Sequence, residues 1–566
     1  MFARWLGKLT KSSGKQARRP MARQGRFGRK LFLEVLEDRT VLSPLLLTVD
    51  SLSDAGTGSG MTGDLRYCIR LANQNNNTGS TPDQIIFASG LQGTINLQQG
   101  ELDITDPNLV ITGPGSSTIA VSGNKQSRVF SIVAGVTAEI DDLTITNGLA
   151  TQGGGIDNAG DLTLSQCILS DNQAVSASGS GQGGGLFNEA GASLHLTQST
   201  LASNQATGNP AIGSNNQGGQ GGGLYNEGTA IIDDSTLTQN VAMSSFGAGA
   251  VGGAAGGAIW NGDESGSSRA TLTITYSTLS QNEAVGAAGT VGANARGGNA
   301  LGGALLNFSG DVTISYSTLT DNQALGGSAS SQGAAGAFGG GGAIRNDTGN
   351  LTIDHSILSS NRATGGDPGQ GGIGGLGDAG ALFNNIATAT LTDDTFSDNQ
   401  ATGGAGNQGI GGAIYNAASS VEITGGLFTR NQALSGTGGS GGFGGAINTA
   451  GSVTSITGST FTFNEALGGN ASGLGAGGAI RIAGGRATVT DSTITDNQAI
   501  GGAGSPGQAG GNGLGGGIMN TFNGTLEVSF TTIAHNAAIG GTGGTGGAGG
   551  NGEGAASRMV LPRAAG

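Results

Sequence analysis

Four residues have the types and spacing that could do chemistry. Asp354-His355 and Asp393-Asp394 fall at the same place in two consecutive copies of a repeating unit, so a fold that stacks the copies brings their carboxylates and the imidazole together. A glycoside hydrolase needs paired carboxyl groups at a controlled separation, and a polysaccharide lyase needs a base beside a cation site. Asp354, His355, Asp393 and Asp394 are therefore the candidate catalytic residues. Asp233-Asp234 is another pair, but it lies four copies before Asp393 and shares no site with it. The competing expectation is structural: an Asp at a bend caps local backbone amides, and other copies place Ser, Thr or Gln there. The Gly-His-Gly and Arg-Ile-Lys signatures of glycosidases are missing, since Arg481-Ile482-Ala483 lacks the lysine.

A second candidate set is aromatic. Side chains alternate along a strand, so the residue after each inward Ile or Leu of the repeat faces the other way. Phe187, Tyr225 and Trp260 hold that position in consecutive copies, and as an outward stripe they form a candidate ligand-binding platform for sugar rings or a protein partner. The alternative is packing of the three rings on one another beneath a glycine-rich segment. No metal site is expected: Cys68 and Cys167 stand apart, neither with the spacing of a zinc site. Calcium is the one cofactor left open. Its nonapeptide loop motif does not recur, and the acids Asp367 and Asp378 of the glycine-rich segments are isolated.

The elements that would position these residues are legible in the repeat itself. In GGAIRNDTGNLTIDHSILSSNRA, from Gly341 to Ala363, three small residues and the apolar Ile344 precede Asn346, a β-alternating Leu351-Thr-Ile353 follows, and Leu358 comes three residues before Asn361. The unit recurs from about residue 153 to about 540, and its closing Asn stands at 172, 204, 240, 282, 322, 361, 399, 431, 464, 497 and 536. A fixed period over this length predicts one solenoid rather than several domains. We read one coil per unit, with strands GAIxN, LTI and TLSxN and a glycine-rich outward loop, giving a right-handed parallel β-helix. Two coils per unit would require strands in the glycine-rich segments. Ile156 through Ile518 and Leu169 through Ile533 are expected to stack inward as two aliphatic ladders, and both Asn series to stack at the turns.

Composition agrees. Gly makes up 116 of 566 residues with only 9 Pro and no Gly at every third position, so collagen is excluded. Aromatics at 4% and charged residues at 11% are too few for a conventional globular core or a salt-bridged helical bundle. Of the 24 Lys and Arg, 11 lie in residues 1–40, leaving 13 basic against 35 acidic residues beyond. An acidic body repels phosphate backbones, so no nucleic-acid partner is expected. No run of 18 apolar residues occurs, and no transmembrane segment is expected.

The chain divides into four parts. Residues 1–47 form a basic leader and an export-type segment, in which Leu36-Glu37-Asp38-Arg39-Thr40-Val41-Leu42 resembles the LEPR-XLL segment of exported planctomycete-type proteins, with Asp38 in place of proline. Residues 48–125 form a cap and first coils: Asp64 can N-cap a helix whose Leu65, Cys68, Ile69 and Ala72 share one apolar face, and short strands follow. GDLRYCIRLAN, DQIIF, GTINL and LVITGPG resemble the cap of bacterial parallel β-helix proteins with CSLREA-type N-terminal domains, with Gly63 where that family has Cys. Residues 126–540 carry the coils, whose GGA[IL] and [FL]xxN elements resemble the repeats of polymorphic outer-membrane autotransporters. Residues 541–566 read as a glycine-rich tail without that family's membrane barrel.

The resemblances imply an exported, extracellular or cell-surface rod. The favoured reading is non-catalytic, in adhesion, interaction or envelope structure, with a polysaccharide or cell-surface partner. The alternative is a carbohydrate-active β-helix enzyme, a polysaccharide lyase or a glycoside hydrolase.

Overall fold

The computed structural model describes residues 44–75, 77, 81–209, 218–244, 253–263, 269–289 and 295–554, with the backbone of 556–560. Most of the basic leader, including the Leu36–Leu42 segment, lies outside the described residues.

One coil shows how the sequence builds the rest. Strands Ile344–Asp347 and Asn350–Asp354 run in line across a bend. The chain then turns at His355-Ser356 into Ile357–Ser359, turns again at Ser360-Asn361 into Arg362–Thr364, and makes a glycine-rich excursion before the short strand Gly377–Asp378. Leu382 then pairs in parallel register with Ile344, so one unit is one coil of a parallel β-helix. Stacking produces four surfaces. A broad sheet of 28 strands holds the first two strands of every coil, and a threonine sheet and an alanine sheet hold the next two. An 11-stranded glycine sheet holds the last.

The main core lies between the broad and threonine sheets. Ile344, Leu351, Ile353 and Leu358 are buried there, and the equivalent residues of neighbouring coils form one continuous cluster with them. Phe396, Phe428 and Phe461 replace leucine at the threonine-sheet position and stack with centroids 4.9 and 4.6 Å apart. The closing Asn residues form an unbroken amide ladder: Asn361 Nδ2 donates to Asn399 Oδ1 at 3.0 Å and to the Leu319 carbonyl at 2.9 Å, and its Oδ1 accepts from Asn322. The other Asn series bonds coil to coil from Asn158 to Asn416. It ends on Thr454, because Thr449 and Ile482 hold the next two positions in register, and the predicted member Asn520 bonds only locally, to the Gly524 carbonyl.

The glycine-rich segments are more than outward loops. The glycine strands lie within contact distance of the alanine strands: a Cβ on Gly339 would sit 2.2 Å from the Thr364 carbonyl and 2.7 Å from that of Ala324. Beyond them the two limbs of the excursion interleave. The Gly366 amide bonds the Ala337 carbonyl, Gly375 bonds Gly366 and Gly404 bonds Gly375, a zigzag of 2.8–2.9 Å backbone bonds along the rod. A Cβ on Gly366 or Gly375 would fall 2.0 Å from the Gly327 carbonyl or 1.7 Å from that of Ala337, so at these positions a composition that reads as loop encodes a packed layer. The layer continues past residue 540: Gly550 bonds Gly541, and Gly552–Glu553 pairs with Gly513–Leu514.

At the other end the chain closes on itself. Asp64 Oδ1 accepts from the Tyr67 amide at 2.9 Å and caps helix Leu65–Asn75, whose Leu65, Cys68, Ile69 and Ala72 are buried on one face. Hairpin Gly58–Ser59/Thr62–Asp64 pairs with strand Leu46–Ser51, which in turn pairs with Asp83–Phe87. Cys68 and Cys167 are free and buried. No helix among the described residues is long and apolar enough to cross a membrane.

Candidate functional site

The turn between the broad and threonine sheets brings the candidate acids together but gives them different roles. Its first residue is left-handed in coil after coil, and the second is a buried Ser whose Oγ accepts an amide of the preceding coil, as Ser317 Oγ and Ser356 Oγ do. Asp394 occupies this serine slot and is 1% exposed. Its Oδ1 accepts from the Ser356 amide at 2.8 Å and its Oδ2 from the Thr392 amide at 3.1 Å. Burial pushes its carboxyl up to about 7, against the pull of those two amides. Asp394 is thus a backbone cap.

Asp354, His355 and Asp393 stay at the surface. His355 Nδ1 lies 2.9 Å from Asp354 Oδ1 and Nε2 lies 3.7 Å from Asp393 Oδ2, so the ring separates the two carboxylates. The hydrogen bond to Asp354, aided by the charges of both acids, raises the imidazole above its ordinary value. Asp233 and Asp234, four coils away, are engaged by Thr275 and Gln198.

The ligand-binding stripe expected at Phe187, Tyr225 and Trp260 is corrected by the structure. The rings do stack on consecutive coils, with centroids 5.1 and 5.7 Å apart, and they do point away from the main core. However, they are 5%, 0% and 4% exposed, because residues of the glycine sheet, Ala255 and Leu301 among them, cover them as a second core. Trp260 borders a cavity of about 270 Å³ with Leu306, Phe308 and Asp347. Asp378, one of the isolated acids of the glycine-rich segments, is buried, and its Oδ1 has no hydrogen-bond partner among the described residues. Burial pushes it up to about 8, partly offset by Arg345. Asp367 is exposed and accepts from the Ala405 amide. Among the described residues no three His, Cys, Asp or Glu groups gather as a metal site.

An exposed aromatic stack lies elsewhere, joining the candidate His355 to two tyrosines that sequence reasoning passed over. Tyr276, Tyr316 and His355 stack along the surface at the first turn position, with centroids 5.3 and 5.1 Å apart. Tyr276 is 63% and Tyr316 50% exposed. All three are left-handed, with φ of 49°, 51° and 49°, a conformation that costs a bulky residue roughly 1–2 kcal/mol. Their neighbours cover the faces of the middle ring, so the ladder presents ring edges, phenol hydroxyls and an imidazole. The signal was the recurrence of Tyr-Ser-Thr-Leu at 276–279 and 316–319, in register with His355-Ser356-Ile357-Leu358.

No family model matches the chain, and no curated protein matches it. Among solved structures it is similar to a mannuronic acid specific polysaccharide family 6 lyase from human gut microbiota, at 9% identity and a TM-score of 0.32 over 72% of this chain and 81% of that one. It is also similar to the catalytic unit of a thermostable GH87 α-1,3-glucanase from Streptomyces thermodiastaticus strain HF3-3, at 14% identity and a TM-score of 0.33 over 88% of this chain and 69% of that one. At these values neither assigns a role to any residue of this chain.

Proposed function

We propose that the protein is an exported, non-catalytic β-helical surface rod that binds polysaccharide, in an adhesive or envelope-structural role. The observation that carries this reading is the exposed, left-handed ladder Tyr276–Tyr316–His355. The turn is left-handed whatever residue fills it, so what marks these coils is that aromatic rings stack there in the open. Ring edges offer apolar contact to sugar C–H groups, while phenol hydroxyls and the carboxylates of Asp354 and Asp393 can exchange hydrogen bonds with sugar hydroxyls. Against catalysis, Asp394 is consumed by backbone amides, and His355 stands between the other two acids. Export rests on the LEPR-XLL-like segment, and the surface role on the autotransporter-like repeats.

The test is binding of residues 44–566 to a polysaccharide panel by affinity electrophoresis, with reducing-end release measured in parallel. Tyr276→Gly combined with Tyr316→Gly should abolish retention while leaving the unfolding midpoint unchanged or raised, since glycine adopts the left-handed turn freely. Turnover that disappears in Asp393→Asn would overturn the non-catalytic reading in favour of the carbohydrate-active enzyme.

A further inference from the structure

The aromatic ladder is one edge of a larger surface. Each threonine strand is only three residues, about 10 Å, and a second left-handed turn bounds its other side. That turn carries Gln239 in the coil before Tyr276, Gln281 in the coil of Tyr276 and Asp321 in the coil of Tyr316, with φ of 55° at each. Between the turns the outward residues are hydroxyls in register: Thr236 with Thr278 and Thr318, and Thr238 with Ser280 and Thr320. Ser280 Oγ donates to Thr238 Oγ1 at 3.0 Å. Past that turn, over the alanine strands, a groove of about 670 Å³ runs along the rod, where Gln281, Gln323, Glu283 and Asp321 are among the lining residues and no Lys or Arg is. Gln239 Nε2 donates to Gln281 Oε1 at 3.2 Å, which fixes the orientation of both amides.

We propose that the threonine sheet between Tyr276–Tyr316 and Gln239–Gln281 is the floor of a trough that takes a single neutral polysaccharide chain lying along the rod axis. The proposal rests on the polysaccharide-binding reading above and names its ligand class. Three features select that ligand. Amides, hydroxyls and carboxylates supply the mixed donors and acceptors that a chain of sugar hydroxyls requires. Glu283 and Asp321 beside the floor, and Asp354 and Asp393 on the aromatic side, repel uronate, sulfate and phosphate groups; the groove lining holds no Lys or Arg, and Arg362 stands one coil beyond Gln323. Finally, the outward hydroxyl pairs repeat over three coils, about 4.8 Å apart, before Ile357 interrupts them, so a regular polymer meets similar groups over that length and affinity grows with chain length up to it.

The experiment is calorimetric titration of the full chain with size series of neutral gluco- and manno-oligosaccharides and with oligogalacturonate and oligomannuronate. Neutral oligomers should bind, with affinity rising at least tenfold from disaccharide to hexasaccharide, and acidic oligomers at least tenfold more weakly. Gln239→Ala with Gln281→Ala should weaken neutral binding at least fivefold, and Thr278→Lys should abolish it with the circular dichroism spectrum unchanged. Replacement of Glu283 and Asp321 by Lys should raise acidic-oligomer affinity. If the Gln and Thr278 variants bind like wild type while Tyr316→Gly does not, the trough is overturned and the polysaccharide-binding reading stands. Tighter binding of acidic oligomers also overturns the trough. If wild type binds none of the oligomers or polymers, both fall.

Discussion

Replacing Asn361 by Ala should be among the most damaging single changes in the rod. The side chain is fully buried and makes four hydrogen bonds: it donates to the Leu319 carbonyl at 2.9 Å and to Asn399 Oδ1 at 3.0 Å, and it accepts from Asn322 N at 3.1 Å and Asn322 Nδ2 at 3.0 Å. At roughly 1 kcal/mol net for each bond the loss is about 4 kcal/mol, and the partners stranded without water add to it. In a solenoid each coil contacts only its neighbours, so the loss acts on local opening more than on a single global transition. The assay is hydrogen exchange read by mass spectrometry on the full chain. Amides of the coils holding Asn322, Asn361 and Asn399 should exchange about a thousandfold faster, the equivalent of ~4 kcal/mol, while the cap helix is unaffected. Asn520→Ala is the control, because that exposed side chain makes one local bond, to Gly524. Equal, small effects in both variants would refute the ladder as a source of stability.

Two further outcomes follow from burial and spacing. Because the Asp378 carboxyl is pushed up from 3.8 to about 8 in the folded protein, its favourable contribution is complete below pH ~4 and is lost as pH rises to ~8, an effect on the order of 5 kcal/mol. Denaturant titrations across that range should show the decline in wild type and a flatter profile in Asp378→Asn; equal slopes would count against it. Gly366→Ala would put a Cβ 2.0 Å from the Gly327 carbonyl, and this overpacking should cost at least ~2 kcal/mol. Gly371→Ala has open space and only an unfavourable φ of 79°, costing ~1 kcal/mol; thermal melts that rank the pair the other way would refute the packed layer.

The coil was legible because it is written in side chains. Leu351, Ile353 and Leu358 alternate and recur, and Leu65, Cys68, Ile69 and Ala72 share a helical face, so burial followed from pattern alone. The glycine strands were not legible, since a strand such as Gly339–Gly340 offers no periodic side chain and is fixed by backbone contact with Ala324 and Thr364. The fate of Phe187, Tyr225 and Trp260 turned on the same point: alternation gave their direction correctly, but what covered them was a layer without a sequence signature. Asp394 differed from Asp393 because the slot it fills accepts backbone amides, a role seen only by aligning it with Ser317 and Ser356. Tyr276 and Tyr316 escaped notice because residue preference places no tyrosine in a left-handed turn.

The amide ladder has a mechanical consequence. Its steps span from 32 to 42 residues of chain, yet each coil adds only about 4.8 Å to the rod. Tension along the axis pulls on the bonds between one coil and the next, so an end coil detaches before those behind it. Each one released pays out roughly 110–150 Å of extended chain. A rod loaded in this way lengthens in steps of more than twenty times its thickness per coil, holding its attachment by shedding one coil at a time.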